Sequence, residues 1–229
     1  MYENGSSMQD FAQAVALYQK AADQNHSMSL NNLGLLYENG RGVERDLKKA
    51  KYYYERAAQL SNPFAQNNLG SMFEHGRGVA KDIRKAIEYY ELSANQNNSV
   101  AMCNLALLYE RGEGTTQNLE KAVELYSAAA KEGNSMACNN LGRLFYFGNG
   151  VPLDYNKAAH YFLKAAESGN VYAANNYALM CAKGNGIPKN VEEAKKWFTI
   201  ASAKGNGPAT QNLLRMKSDP SFSGDQLPV

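Results

Sequence analysis

The chain has 229 residues, with 24 basic and 22 acidic side chains and a formal net charge of +2. Nucleic-acid binding usually requires a clustered basic face, so this near balance argues against it. No apolar run approaches the roughly 18–20 residues needed to span a membrane, and the polar segment 1–10 lacks the apolar core of a signal peptide. We therefore expect a cytoplasmic chain with neither nucleic acid nor membrane as its partner.

A Gly-x-Gly tripeptide recurs five times at a constant step of 36 residues, beginning at Gly40, Gly76, Gly112, Gly148 and Gly184. Fixed self-similarity of this length indicates a helical repeat array, in which each copy packs only against its neighbours. Gly ends a helix well because it adopts the left-handed conformation easily. The sequence therefore predicts an all-α solenoid of about twelve helices, two in each repeat.

In chain order, residues 1–5 look like the tail of a helix, so the chain is expected to begin partway through a repeat. Each later repeat then has a first-type helix before the Gly-x-Gly pair and a second-type helix after it. The first type carries Leu beside Gly or Ala, as at Leu33 and Gly34, which allows close approach of another helix. We predict a repeat array over 1–217, composed of a half repeat, five full repeats and a capping helix, followed by a disordered tail at 218–229.

Two columns of the alignment of repeats predict how each second-type helix begins and packs. A carboxylate or amide that can cap the helix stands at Asp10, Asp46, Asp82, Asn118, Asp154 and Asn190. An aromatic residue that we expect in the core follows at Tyr18, Tyr54, Tyr90, Tyr126, Phe162 and Phe198. The predicted stops of these helices are Asn25, Ser61, Asn97, Gly133, Gly169 and Gly205.

The recurring pattern, with Leu-Gly-x-x-aromatic, Gly-x-Gly-Val, a cap and Ala-x-x-x-Tyr-x-x-Ala-Ala in phase, closely resembles the Sel-1-like repeat family of tetratricopeptide-type repeats. The resemblance covers about residues 1–217. It implies a right-handed superhelix of antiparallel helix pairs, with the first-type helices lining a concave face. It also implies a non-catalytic scaffold or adaptor that binds a protein or peptide segment in that groove.

No motif in the sequence predicts catalysis, a cofactor or a metal site. There is no phosphate loop, no Gly-x-Ser-x-Gly and no His-Glu-x-x-His, and the three histidines fall in different columns. The odd number of cysteines, Cys103, Cys138 and Cys181, predicts buried free thiols rather than a disulfide framework. Some cysteine-rich family members are associated with β-lactam binding or hydrolysis, and a glycan-binding module is a further alternative. The first would be tested with nitrocefin and the second with a glycan array.

Columns that vary between repeats are free to recognise a ligand, because a residue needed for folding is repeated. On the face of the first-type helix opposite its Leu, one column contains Asn31, Asn67, Cys103, Asn139 and Asn175. These amides could bind an extended peptide backbone or could equally join neighbouring helices. The unbroken column beside it, from Asn32 to Asn212, favours the structural role.

The same face is predicted to change polarity along the array. Glu38, Glu74 and Glu110 make one end acidic, while Arg143, Tyr146, Phe147 and Tyr172 make the other basic and aromatic. Tyr and Arg often anchor interfaces. The alternatives are an ordinary mixed surface or a groove whose acidic end binds the basic part of a partner segment. For the second, we expect replacement of Glu74 and Glu110, or of Arg143 and Tyr146, to weaken binding while the fold stays intact.

Overall fold

The computed structural model describes residues 8–218, and within that range twelve α-helices and no strands are present. The chain divides into two compact units, Met1–Gln117 and Asn118–Val229. The N-terminal unit contains α1(Met8–Asp23), α2(Ser27–Asn39), α3(Leu47–Gln59), α4(Pro63–His75), α5(Ile83–Ala94) and α6(Ser99–Arg111). The C-terminal unit contains α7(Leu119–Lys131), α8(Ser135–Phe147), α9(Tyr155–Glu167), α10(Val171–Lys183), α11(Val191–Ala203) and α12(Gly207–Ser218). The predicted class, an all-α repeat fold of antiparallel helix pairs, is confirmed. The even-numbered helices α2–α10 are the first type, and the odd-numbered helices are the second.

The predicted caps of five second-type helices lie where the sequence places them. The Asp46 side chain accepts hydrogen bonds from the backbone amides of Lys48 and Lys49, which are free donors at the start of α3. Its counterparts Asp82, Asn118, Asp154 and Asn190 cap the later helices in the same manner. The prediction for Asp10 is wrong, because α1 begins at Met8 and places this residue within its first turn.

Helices α1–α11 are each followed by a residue with positive φ, a backbone conformation that most residues avoid. Gly76 caps α4 with φ of 67°, and Gly78 follows with φ of 70°. A Cβ atom added at Gly78 would lie 2.6 Å from the Cβ of Leu47, so this loop rests directly on the first turn of α3. The predicted stops of the second-type helices all have positive φ as well, Asn25, Ser61, Asn97, Gly133, Gly169 and Gly205.

The core of each unit is built from the aromatic column of the second-type helices. Tyr54 and Tyr90 in the N-terminal unit and Phe162 and Phe198 in the C-terminal unit are completely buried. A small residue of the first-type helix leaves room for each ring, since a Cβ atom added at Gly70 would lie 2.7 Å from the Tyr90 ring. The large and small columns therefore interlock between the two helices of a repeat.

A helix, α12, occupies the position of the predicted capping helix, about 208–217, and its Leu214 side chain is exposed. The predicted helix tail at 1–5 and all of the predicted disordered tail except Ser218 lie outside the described residues. Ser218 itself is the last residue of α12. None of the described helices combines the length and the apolar character needed to cross a bilayer.

Candidate functional site

An exposed apolar side chain stands near the start of every first-type helix. In the N-terminal unit these side chains are Met28, Phe64 and Val100, which are 42%, 51% and 50% exposed. In the C-terminal unit they are Met136 and Tyr172, at 56% and 68%. We call these five residues the apolar column. Folding gains little from them because they remain about half in water.

The two asparagine columns form hydrogen bonds with each other between neighbouring repeats. In the N-terminal unit, Asn68 Nδ2 donates to Asn31 Oδ1 at 3.0 Å. In the C-terminal unit, Asn212 Nδ2 donates to Asn175 Oδ1 at 3.3 Å. The same bond joins two further pairs, Asn104 to Asn67 at 3.1 Å and Asn176 to Asn139 at 3.2 Å. We call these four bonds the amide ladder, and it gives both columns a structural role.

The amide ladder leaves the predicted binding asparagines in two different states. Asn31 and Asn175 are each 3% exposed, and their Nδ2 groups donate to the adjacent Asn32 and Asn176. Asn67 and Asn139 are half-buried and use only their Oδ1 atoms in the ladder. Their Nδ2 groups have no hydrogen-bond acceptor among the described residues.

Glu38 and Glu74 accept hydrogen bonds from core tyrosines of the following helix. Tyr54 donates its hydroxyl to Glu38 Oε2 at 2.7 Å, and Tyr90 donates to Glu74 Oε2 at 2.6 Å. Burial, and then the hydrogen bond to the carboxylate, raises the pKa of both tyrosine hydroxyls well above the usual range. Each carboxylate therefore satisfies a hydroxyl that would otherwise be buried without an acceptor.

Arg77 connects these two pairs into one network within the N-terminal unit. Its guanidinium lies 3.3 Å from Glu38 Oε1 and donates to Ser71 Oγ at 2.9 Å. Burial raises the pKa of Tyr54 and of Tyr90, and the positive charge of Arg77 opposes the rise at both hydroxyls. Both oxygens of Glu38 are thus occupied, whereas Glu74 Oε1 has no partner among the described residues. The expectation that Glu74 can be replaced without loss of stability needs correction, because its removal leaves the buried Tyr90 hydroxyl without its acceptor.

The sequence contains a signal for these pairs in two columns that change together. Glu38 and Glu74 lie 16 residues before Tyr54 and Tyr90. The sequence keeps the combination at Glu110 and Tyr126 and loses both members together in the two later repeats, where Tyr146 and Ala182 precede Phe162 and Phe198. A glutamate is retained only where a core hydroxyl needs an acceptor. Glu110 itself is half-buried in the last turn of α6, and its backbone carbonyl accepts from Gln117 Nε2 at 2.8 Å.

The predicted aromatic end lies in the C-terminal unit and is partly brought together. The ring centroids of Tyr146 and Phe147 are 5.0 Å apart, and the ring centroid of Tyr155 also lies 5.0 Å from that of Tyr146. Asn185 Nδ2 donates to the Tyr146 hydroxyl at 3.2 Å, and burial raises the pKa of that hydroxyl. Arg143 is half-buried on the same helix, and Tyr172, on α10, is the most exposed of the predicted site residues.

The described residues offer no cluster of His, Cys, Asp or Glu that could hold a metal ion. Cys103, Cys138 and Cys181 are free and buried, as predicted. His26 has a structural role that the sequence did not reveal, because it caps α2 by accepting from the backbone amide of Ser29. Sequence reasoning also missed most of the apolar column, although large apolar residues at a 36-residue step on a polar face were a visible signal.

Solved structures of similar fold come from several bacteria. A Sel1 repeat protein from Oxalobacter formigenes is 32% identical, with a TM-score of 0.87 over 92% of this chain and 86% of that chain. A protective antigen of uropathogenic Escherichia coli, described as having an SLR fold, is 26% identical. Its TM-score is 0.82 over 91% of this chain and 45% of that chain.

Curated relatives match a shorter stretch. The DAP3-binding cell death enhancer 1 of rat and that of mouse are each 49% identical over 41 residues, which is 18% of this chain. The chain spans 8% of the length of these relatives.

Six consecutive segments match the Sel1 repeat, at residues 1–26, 27–62, 63–98, 99–134, 135–170 and 171–206. Helical proteins of this kind are generally protein-interaction scaffolds and are typically non-enzymatic. The five matched segments between residues 27 and 206 each contain one first-type helix and the second-type helix that follows it. The chain therefore belongs to the Sel1 repeat family.

Proposed function

We propose that the chain is a non-catalytic scaffold that binds a segment of a partner protein along the apolar column of its first-type helices. The observation that carries the proposal is the exposure of Met28, Phe64 and Val100 in three consecutive repeats. Each of these side chains exposes a large apolar surface to solvent at the same position of its repeat. A partner that covered these side chains would gain about 25 cal/mol for each Å² of apolar surface removed from water.

The polar groups beside the apolar column favour a peptide segment as the ligand. The unpaired Nδ2 donors of Asn67 and Asn139 suit the carbonyl oxygens of an extended backbone. Glu74 retains one free carboxylate oxygen for a basic group, and Glu110 lies in the last turn of the next first-type helix. The ligand of the N-terminal unit is then an apolar segment with a basic residue, bound beside Phe64.

In the C-terminal unit the proposed anchors are Met136, Tyr172 and the Tyr146–Phe147 pair, with Arg143 providing a positive charge. Aromatic residues and Arg contribute most often to binding energy at the centres of interfaces. Asn31, Asn175 and Glu38 line the same helices but contribute through the ladder and the network rather than through free donors or acceptors. The proposal thus assigns recognition to the apolar column together with Asn67, Glu74, Asn139, Arg143, Tyr146 and Phe147 of the predicted set.

Peptide display tests the proposal without knowledge of the natural partner. Random peptides would be selected on the wild-type chain, and their affinities measured for the wild type and for the double variant Phe64→Asp/Val100→Asp. We expect at least about a tenfold loss of affinity, because two half-exposed apolar contacts are each replaced by a charge. Helicity and melting should change little, since both side chains are already half in water.

The matched control is Leu17→Asp/Leu60→Asp, which replaces two exposed leucines of the same unit, one on α1 and one at the C-cap of α3. This control should bind the selected peptides as the wild type does. Met136→Asp/Tyr172→Asp provides the same test for the C-terminal unit. Selected peptides that bind the Phe64→Asp/Val100→Asp variant as tightly as the wild type would refute the proposal for the N-terminal unit.

A further inference from the structure

A furrow on the second-type helices of the N-terminal unit forms a surface separate from the apolar column. We propose that this furrow, which we call the lysine furrow, binds an acidic peptide segment of a protein partner. Its walls are the exposed side of α3, the loop Gly78–Lys81 and the first turn of α5. Four lysines define it, Lys48, Lys51, Lys81 and Lys85.

The lysine furrow has the size of a peptide site. Its main cavity has a volume of about 610 Å³ and also borders Tyr52, Glu55 and Phe73. A second cavity of about 460 Å³ shares Lys51, Glu55, Phe73 and Lys85 and continues the furrow to Tyr89 and Leu92. Volumes in the range of roughly 300–1,000 Å³ are typical of sites that bind small ligands or a few residues of a chain.

The charges in the main cavity leave two ammonium groups without a counterion. Lys51 forms an ion pair with Glu55 at 2.8 Å. Lys85 lies 3.9 Å from Asp82 and also 5.4 Å from the centroid of the Phe73 ring. Lys48 and Lys81 make no ion pair among the described residues. The cavity therefore carries an excess of positive charge that the surrounding protein does not neutralise, and carboxylates are the complementary ligand.

The fold does not require these lysines, because the same positions in the C-terminal unit are different. Three repeats later, Lys48, Lys51 and Lys85 are replaced by Asn156, Ala159 and Glu193. Only Lys81 has a lysine counterpart, at residue 189. Helices α9 and α11 form with the same caps despite these replacements. The positive charge of the furrow is thus an addition to the repeat and is consistent with a role in binding.

The far end of the furrow adds an apolar contact to the charged one. Leu92 is 51% exposed there, and Tyr89 stacks on Phe73 with ring centroids 5.7 Å apart. A ligand that satisfies both ends has acidic residues near Lys48 and Lys81 and an apolar side chain near Leu92. This combination favours a peptide over nucleic acid, whose phosphates require a longer series of basic contacts and offer no aliphatic group.

Fluorescence anisotropy tests this proposal with a panel of labelled eight-residue peptides that place four Asp or Glu residues before or after two Leu residues. At least one peptide of the panel should bind saturably, with an affinity that falls as salt rises. Matched panels with Lys in place of the acidic residues, or Ser in place of Leu, should bind more weakly. A labelled oligothymidylate of twelve nucleotides tests whether the furrow instead recognises nucleic acid.

The double variant Lys48→Glu/Lys81→Glu should bind the best acidic peptide with an affinity at least about fivefold lower, since two attractions become repulsions. The control Lys189→Glu/Lys195→Glu makes the same change of net charge in the C-terminal unit and should leave the affinity unchanged. The proposal is overturned if no acidic peptide binds saturably, if both double variants lose affinity equally, or if the oligonucleotide binds more tightly than the peptides. The apolar column is intact in all of these variants, so the outcome is independent of the function proposed above.

Discussion

Removing the hydroxyl of Tyr90 should destabilise the protein through its bond to Glu74 alone. The Tyr90 ring is completely buried, and Phe already occupies the same column at residues 162 and 198, so Tyr90→Phe keeps the packing of the ring. The lost contact is the 2.6 Å bond from the hydroxyl to Glu74 Oε2. The substitution therefore isolates one hydrogen bond between a core residue and a carboxylate.

The magnitude follows from the exposure of the two partners. Hydrogen bonds to charged groups contribute roughly 1.5–3 kcal/mol to stability. The Glu74 side chain is 20% exposed, so water can partly replace the lost donor, and we expect about 1.5 kcal/mol for Tyr90→Phe. Glu74→Ala should cost about 2 kcal/mol, because it leaves the buried hydroxyl without its acceptor. The double variant should cost about 2 kcal/mol, well below the sum of the two single changes.

Urea unfolding followed by far-ultraviolet circular dichroism would measure these free energies. Tyr89→Phe is the matched control on the same helix, because the Tyr89 hydroxyl has no hydrogen-bond partner among the described residues. It should cost less than about 0.5 kcal/mol. If Tyr90→Phe costs no more than this control, or if the costs of the Tyr90 and Glu74 changes are additive, the structural role of Glu74 is refuted.

Three further outcomes are expected. Asn68→Ala should lower the free energy of unfolding in urea titrations by about 1–3 kcal/mol, because the buried Oδ1 of Asn31 loses its donor. An unchanged urea midpoint would contradict the structural role of the amide ladder. The free energy of unfolding should decline as pH rises above about 10, because tyrosines ionise there in the unfolded chain while burial keeps Tyr54 and Tyr90 neutral in the folded state. Thermal melting at alkaline pH should show a smaller decline in the Tyr90→Phe variant. Gly70→Ala should lower the melting temperature despite the better helix propensity of Ala, because the new methyl group would lie 2.7 Å from the Tyr90 ring. A rise in melting temperature would contradict this expectation and show that the ring moves freely.

The elements of this fold follow from local signals that recur in phase. Asp46 predicts the start of α3, Gly40 ends α2, and Ala50 and Tyr54 mark the buried side of α3. Each of these roles depends on the backbone conformation and packing of a single repeat, so repetition makes them visible. Asp10 is the exception, because α1 starts two residues before it.

The residues that join one repeat to the next were harder to predict. Asn62, for example, closes one repeat in the sequence pattern, yet it caps α4 and donates to Ser27 of the preceding first-type helix. Such contacts depend on how two helices cross, which periodicity alone does not specify. The column that contains Glu38 and Glu74 shows the same difficulty. Its variation between repeats suggested a ligand, whereas these two glutamates accept hydrogen bonds from the hydroxyls of Tyr54 and Tyr90.

The amide ladder has a consequence for how such chains lengthen. Each of its four bonds joins residues 37 positions apart, with the donor in one copy and the acceptor in the copy before it. The copy at residues 63–98 supplies both the donor Asn68 and the acceptor Asn67, so tandem duplication of that whole 36-residue segment would restore the pairing at both new junctions without any compensating mutation. An insertion that shifts the register of a first-type helix would instead misalign these amides. Unequal recombination can therefore change the number of copies while leaving the hydrogen bonding of the remainder intact.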